Sequence, residues 1–143
     1  MSDPQAAAIA QLLSLYRTFA IVGCSPDPSR ESHRVARYLQ ANGYRIVPVN
    51  PAGGTILGER CYPDLRSIPQ PVEVVDLFRR SELVAPHVTE AIAIGARAIW
   101  MQLDVIDETA AAAARAAGLE VVMDRCPAIE HSRLAAAGLL PAR

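Results

Sequence analysis

The sequence has 143 residues, of which 51% are hydrophobic and 20% are charged, and its formal net charge is −1 at pH 7. This length favours one domain with a substantial core, and the nearly neutral charge argues against a general affinity for nucleic acid or anionic membranes. Apolar runs are far shorter than the roughly 20 residues that span a bilayer, and the first residues lack a signal-peptide pattern. We therefore expect a cytoplasmic protein with one domain over residues 1–143.

Hydrophobic periodicity predicts that helices and strands alternate along the chain. In chain order, the first half is predicted to form a helix over 6–16, a strand over 18–24, a helix over 32–42, a strand over 44–49 and a loop over 50–58 with a short strand at 55–57. The second half is predicted to form a short helix over 64–68, a strand over 72–78, a helix over 86–94, a strand over 98–103, a helix capped by Asp107 that ends at 117, a strand over 119–123 and a helix over 129–137.

This alternation is typical of an α/β fold with a doubly wound parallel sheet. With right-handed crossovers, the five predicted strands form a single Rossmann-like domain, most simply in the order 3-2-1-4-5. In such a sheet, ligands bind beyond the carboxyl ends of the strands, where the strand order reverses. The segments that follow the five strands are therefore the candidate site.

The turn after the first strand, residues 23–30, leads into a helix and points backbone N–H groups at the sheet edge, where a phosphate can bind. The second strand ends in another polar turn, Asn50-Pro51. Two such turns predict a nucleotide-shaped ligand. A standard NAD site is disfavoured, because no glycine follows Gly23 before Gly43, and because Asn50 stands where an acidic residue would accept hydrogen bonds from the ribose.

Basic residues are concentrated in these edge segments, although the chain as a whole is nearly neutral. The four arginines concerned are Arg30, Arg79, Arg80 and Arg125. Guanidinium groups pair well with phosphates and carboxylates, so this distribution favours an anionic ligand. The alternative is that Arg79 and Arg80 pair with Asp76 or Glu82 as solvated ion pairs of little energetic value.

The chain has an odd number of cysteines at wide spacing, Cys24, Cys61 and Cys126, which does not make a disulfide framework, so we expect reduced thiols. Cys24, Cys126 and His131 could in principle bind a metal, but the absence of a CxxC pair argues against it, and we predict no metal site. Cys126 would be a nucleophile only if Arg125 and a helix N-terminus lowered its pKa. His131 and Glu130 are expected to be helix-surface residues rather than catalysts.

Five blocks of the sequence together carry a family resemblance: residues 20–39, 43–51, 75–79, 100–103 and 124–131. Over about residues 18–134, the chain resembles the stand-alone CoA-binding domain proteins, which are similar in fold to the CoA-binding domain of the succinyl-CoA synthetase alpha subunit. The resemblance implies that coenzyme A is the ligand. It implies no ligase activity, because that reaction needs a further domain and a partner subunit.

The resemblance also implies where CoA would lie. Its phosphates would lie near the first turn, its nucleotide near Asn50-Pro51, and residues after the third and fourth strands would flank it from the other side. The implied binding residues are Gly23, Cys24, Ser25, Ser29, Arg30, Ser32, Asn50, Pro51, Phe78, Arg79, Met101 and Gln102. Two positions depart from the family: Ala52 replaces a basic residue that relatives commonly carry, and Asp104 replaces a usual glycine. The alternative for the three serines is simple helix capping.

The sequence contains no GxSxG, HExxH or Walker A motif, so no catalytic residue is assigned. We therefore predict a protein that binds CoA or acyl-CoA as a carrier, a sensor or a partner-binding module, without evident catalytic machinery. The alternative is an NAD(P)-binding Rossmann domain of the oxidoreductase type, which the same fold could provide.

Overall fold

A five-stranded parallel sheet with helices on both faces organises the computed structural model, which describes residues 3–141. The helices are α1 (Ala6–Leu15), α2 (Glu31–Ala41), α3 (Ala85–Ala93), α4 (Glu108–Ala116) and α5 (Pro127–Ala136). The strands are β1 (Thr18–Val22), β2 (Arg45–Val49), β3 (Thr55–Ile56), β4 (Glu59–Arg60), β5 (Val74–Leu77), β6 (Ala98–Met101) and β7 (Glu120–Val122). This confirms the predicted α/β class and the Rossmann-like parallel sheet.

The predicted strand order is wrong. The sheet has the order β2-β1-β5-β6-β7, which is 2-1-3-4-5 in terms of the five predicted strands rather than 3-2-1-4-5. Pro48 supplies the physical reason, because a proline cannot donate a hydrogen bond within the interior of a sheet. Its carbonyl accepts a hydrogen bond from the Tyr62 N–H (3.0 Å) on the side of β2 that faces away from β1. β2 is therefore an edge strand, and β1 lies between β2 and β5.

The local predictions hold with small shifts at the ends of elements. Asp107 caps α4, since its side chain accepts a hydrogen bond from the Ala110 N–H (3.0 Å). The short helix predicted over 64–68 is one 3₁₀ turn, Leu65–Ser67. The short strand predicted at 55–57 is β3, and it pairs with β4 in a hairpin that the sequence pattern did not predict.

The core has two layers, one on each face of the sheet. α1, α2 and α5 cover one face, where Leu12, Leu39 and Trp100 are fully buried. α3, α4 and the segment around the 3₁₀ turn cover the other face, where Leu65 and Ala114 are fully buried. The alanine-rich helix α4 packs its small side chains against the sheet, as predicted. Within residues 3–141, no helix combines the length and the apolar character needed to cross a membrane.

Asp76 lies in the middle of the sheet and is fully buried. It stands in register with Ile21 of β1 and Trp100 of β6. Neither of its carboxylate oxygens has a hydrogen-bond donor among the residues that the structure describes. Because burial disfavours the charged form, the pKa of this carboxyl is raised well above its ordinary value of 3.8.

We expect Asp76→Asn to abolish the loss of folding stability that the wild type undergoes as pH rises. A raised folded-state pKa means that the stability from the neutral carboxyl is complete below the unfolded-state pKa and falls as pH rises toward the folded-state pKa. Within that window each pH unit costs about 1.4 kcal/mol. Urea unfolding of both proteins at pH 4 and pH 7 checks this. The variant should gain stability over the wild type at pH 7, and a stability difference that is the same at both pH values would contradict the prediction.

Candidate functional site

The order of the sheet places its reversal point between β1 and β5. α2 leaves β1 over one face of the sheet, and α3 leads from β5 to β6 over the other. The crevice that opens at the carboxyl ends of β1 and β5 is where doubly wound sheets bind ligands. The turns after the five long strands meet along this carboxyl edge, as the sequence predicts.

Gly23 is the point of closest approach between the turns. Its N–H donates to the Val49 carbonyl (2.9 Å), and the Phe78 N–H donates to the Val22 carbonyl (2.9 Å). Its φ is +84°, and a Cβ at this position would overlap the carbonyl oxygen of Phe78. A residue with a side chain would therefore separate the turns after β1 and β5, which explains why a glycine ends the first strand.

The serines of the β1–α2 turn are used within the turn itself. The Ser32 hydroxyl accepts a hydrogen bond from the Ser25 N–H (2.9 Å), and the Ser25 hydroxyl accepts one from the Asp27 N–H (3.1 Å). Ser29 donates both its N–H and its hydroxyl to the Asp27 carboxylate (2.9 and 2.8 Å). None of the three serines caps α2, because Arg30 is the N-cap residue and its side chain makes no cap hydrogen bond. The structure thus contradicts the alternative that these serines cap the helix.

The N-terminus of α2 consequently presents backbone donors at the edge of the sheet. The first helical hydrogen bond runs from the Arg34 N–H to the Arg30 carbonyl (3.1 Å). The N–H groups of residues 31–33 have no acceptor within the described range 3–141. Uncapped donors at a helix N-terminus, together with the helix dipole, favour an anion.

Asn50 joins the turn after β1 to the turn after β2. Its side-chain N–H donates to the Cys24 carbonyl (2.9 Å), and its side-chain oxygen accepts a hydrogen bond from the Ala52 N–H (2.9 Å). Its backbone N–H donates to the Tyr62 carbonyl (2.9 Å). The amide therefore fixes the two turns relative to each other, and the exposed Pro51 and Ala52 form the outer surface of this corner.

Beyond β5 and β6 the edge contains a cavity of about 400 Å³. Its lining residues are Glu31, Phe78, Arg79, Arg80, Gln102, Leu103, Asp104 and Val105. Gln102 is only 5% exposed, and its side-chain oxygen has no hydrogen-bond partner among residues 3–141. A buried amide oxygen left in this state is an acceptor available to a ligand that donates an N–H or O–H.

Two residues of the implied set are in the core rather than on the surface. Met101 is fully buried on the α3/α4 face and does not line the cavity. Cys24 is fully buried on the opposite face. Burial, followed by the neighbouring Cys61 and Asp76, raises the pKa of the Cys24 thiol to about 12. Its side chain is therefore neither a charged ligand contact nor a reactive thiolate at neutral pH.

Among residues 3–141, two of the four edge arginines form ion pairs and two do not. Arg80 pairs with Glu82 (3.4 Å) on the surface, and Arg125 pairs with Asp3 (3.1 Å) at the far end of the sheet. Arg30 and Arg79 have no ion-pair partner in the part of the chain that is described. The aliphatic part of the Arg79 side chain lies next to Gly23, and Arg79 also lines the cavity beyond β5 and β6. These two unpaired cations are close to the uncapped end of α2 or to the turn that precedes it.

Two polar residues that the sequence analysis missed hold the rim of the cavity. The Ser81 hydroxyl accepts a hydrogen bond from the Ile106 N–H (3.0 Å) and donates to the Asp104 carbonyl (3.3 Å). The Asp124 carboxylate accepts a hydrogen bond from the Asp104 N–H (2.7 Å). Asp104 and Asp124 both have left-handed backbones, with φ of 66° and 58°. Asp104 and Asp124 each come directly after a predicted strand, and this position was the available signal for a role at the sheet edge.

The expectation that His131 and Glu130 are helix-surface residues is wrong, because α5 packs against its neighbours and leaves both side chains buried. His131 is buried, its Nδ1 lies 2.8 Å from the Tyr38 hydroxyl, and Glu130 pairs with Arg133. Cys126 is 2% exposed at the start of α5. Over residues 3–141, no three His, Cys, Asp or Glu side chains are grouped as a metal ion would require. The alternative metal set of Cys24, Cys126 and His131 is therefore not assembled.

The comparisons with known proteins agree with this architecture. The family described as CoA binding domain matches residues 17–132. The uncharacterized protein YneT of Bacillus subtilis is 34% identical over 132 residues, which are 92% of this chain and 98% of that protein.

Two solved structures are also similar over nearly their whole length. A hypothetical protein from Pyrococcus horikoshii OT3 is 38% identical with a TM-score of 0.88, covering 94% of this chain and 99% of that one. A protein from Thermus thermophilus is 35% identical with a TM-score of 0.82, again covering 94% of this chain and 99% of that one. Because the family match spans most of the sequence, this chain belongs to the CoA-binding domain family.

Proposed function

We propose that this protein binds CoA or an acyl-CoA across the carboxyl edge of its sheet. The observation that carries the proposal is the uncapped N-terminus of α2, with free N–H groups at residues 31–33 and the unpaired Arg30 at the N-cap. Such a group of donors suits the diphosphate of a nucleotide. Membership of the CoA-binding domain family supports CoA as that nucleotide.

The proposed pose assigns a different part of CoA to each turn. The phosphates lie against the β1–α2 turn, where Gly23 allows a close backbone approach and where Ser25, Ser29 and Ser32 shape the loop. The nucleotide lies on the corner of Asn50, Pro51 and Ala52. The pantetheine arm runs past Phe78 and Arg79 toward Gln102, whose unpartnered side-chain oxygen suits an amide N–H of that arm. Cys24 contributes only backbone, and Met101 supports β6 from the core.

The same features disfavour NAD(P) as the ligand. NAD enzymes of this fold commonly place a carboxylate at the end of the second strand to accept hydrogen bonds from the ribose. Asn50 occupies that position, and both ends of its amide already bond to Cys24 and Ala52. The proposed role is that of a carrier, a sensor or a partner-binding module, since the buried Cys24, Cys126 and His131 offer no exposed reactive group.

CoA should stabilise the protein more than NAD does. A ligand at about 100 times its dissociation constant adds roughly 2.7 kcal/mol to the free energy of unfolding. The only tryptophan, Trp100, is buried and donates its indole N–H to the Arg125 carbonyl (2.8 Å), so its fluorescence reports unfolding. Thermal unfolding with each ligand at equal concentration makes the comparison. Stabilisation by NAD without stabilisation by CoA would rule out the proposed ligand.

Arg30→Ala should weaken CoA binding about tenfold, because a charge-assisted hydrogen bond of about 1.5 kcal/mol would be lost. Arg37→Ala is the matched control, since Arg37 is also exposed on α2 but lies two turns away from its N-terminus. Titration calorimetry measures both affinities, and circular dichroism checks the fold. Equal affinities for the two variants would show that Arg30 makes no phosphate contact.

Ala52→Lys should strengthen CoA binding at low ionic strength, because the resemblance implies a phosphate within reach of a basic side chain here. The gain should shrink as salt screens the new charge. Dephospho-CoA, which lacks the 3′-phosphate, is the control ligand and should gain less from the lysine. If both ligands gain equally, or if neither gains, the corner of Asn50, Pro51 and Ala52 does not face that phosphate.

A further inference from the structure

Three of the residues that line the cavity beyond β5 and β6 are apolar, and a phosphate would gain nothing from them. Phe78 and Val105 form part of its wall, and Leu103 at its rim is 48% exposed. Ile106, one turn further along the same loop, is also 48% exposed. Large apolar side chains that stay exposed beside a cavity mark a place where an apolar ligand group can be buried.

The rim is built to keep its shape. Ser81 bonds to the loop at both Asp104 and Ile106, and Asp124 bonds to the Asp104 N–H. The Val105 N–H closes a turn by donating to the Gln102 carbonyl (2.9 Å). These bonds fix the loop on both sides of Leu103, whose side chain is 48% exposed in the free protein.

Charge varies in sign along the crevice. Arg30, Arg79 and the uncapped N-terminus of α2 bring positive charge to the end near the β1–α2 turn, where Asp27 is the acid beside Arg30. At the other end stand Asp104 and Asp124, and neither carboxylate has an ion-pair partner within residues 3–141. Glu31, Arg79 and Arg80 also line the cavity. Glu31 pairs with Arg34 (2.6 Å), Arg80 pairs with Glu82 (3.4 Å), and the Arg79 side chain lies toward Gly23. The far end would therefore repel a ligand group that carries a negative charge.

We propose that this cavity receives the acyl group of a CoA thioester and selects a neutral aliphatic acyl group over a free thiol and over acyl groups that end in a carboxylate. The inference rests on the proposed CoA binding and specifies its ligand. The apolar rim supplies the preference for an aliphatic chain, and Asp104 with Asp124 supplies the discrimination against acidic chains. Specificity of this kind needs an unfavourable interaction with the competitor as well as a favourable one with the ligand.

Butyryl-CoA and succinyl-CoA are a matched pair for the test, because both acyl groups have four carbons and only succinyl ends in a carboxylate. Titration calorimetry of the full chain should give an affinity for butyryl-CoA about tenfold higher than for CoA, as for a short apolar group in a pocket. Succinyl-CoA should bind no more tightly than CoA. If CoA itself fails to bind, the proposed function fails; if CoA binds but butyryl-CoA and succinyl-CoA bind alike, only this inference is overturned.

Two variants separate the two causes. Asp104→Asn keeps a residue that tolerates a left-handed backbone and should, at low salt, tighten succinyl-CoA binding severalfold more than butyryl-CoA binding. Glu59→Gln, at an exposed acid of the hairpin, is its control and should change neither affinity.

Leu103→Ser should lower the affinity for butyryl-CoA toward that for CoA, whereas Leu15→Ser, at another exposed leucine, should not. An unchanged butyryl-CoA preference in Leu103→Ser would overturn the assignment of the rim.

Discussion

The candidate site depends on one steric constraint, the passage of the Gly23 backbone against the carbonyl of Phe78. β1 and β5 are neighbours in the middle of the sheet, so the turns that leave them diverge to opposite faces from almost the same point. Without a Cβ at Gly23, these turns remain in contact, and Arg79 can lie beside the start of the β1–α2 turn. The N-terminus of α2 and the cavity beyond β5 thereby become two ends of one crevice.

Polar side chains at this edge are mostly used to position backbone. The Asn50 amide holds two turns together, the Ser32 hydroxyl accepts from the Ser25 N–H, and Ser81 ties down the loop after β6. The groups left for a ligand are backbone N–H groups, two guanidinium groups and the oxygen of Gln102. This division makes physical sense, because a backbone donor fixed by its turn loses no side-chain entropy when it binds.

The sequence predicted the elements and their edge, but not the details that depend on distant parts of the chain. Periodicity identifies long strands, whereas the two-residue strands of the hairpin are too short to show a period. Pro48 did carry the information that β2 lies at an edge, and the simplest topology overlooked it. The pairing of Arg125 with Asp3 joins residues 122 positions apart, and no local pattern reports such a contact. The uninterrupted apolar run of β6, which is buried on both faces, could have predicted that Met101 lies in the core.

Several local departures from low-energy structure occur together at the carboxyl edge. Within residues 3–141, α2 begins without a side-chain cap, the buried Gln102 oxygen has no partner, and two of the three non-glycine residues with positive φ, Asp104 and Asp124, shape the rim. A missing cap costs about 1 kcal/mol, and an unpartnered buried polar group costs about 1–3 kcal/mol. A ligand with an anionic end and an N–H donor would relieve the first two costs directly. Binding of such a ligand at this edge would therefore satisfy groups that the free protein leaves without partners there.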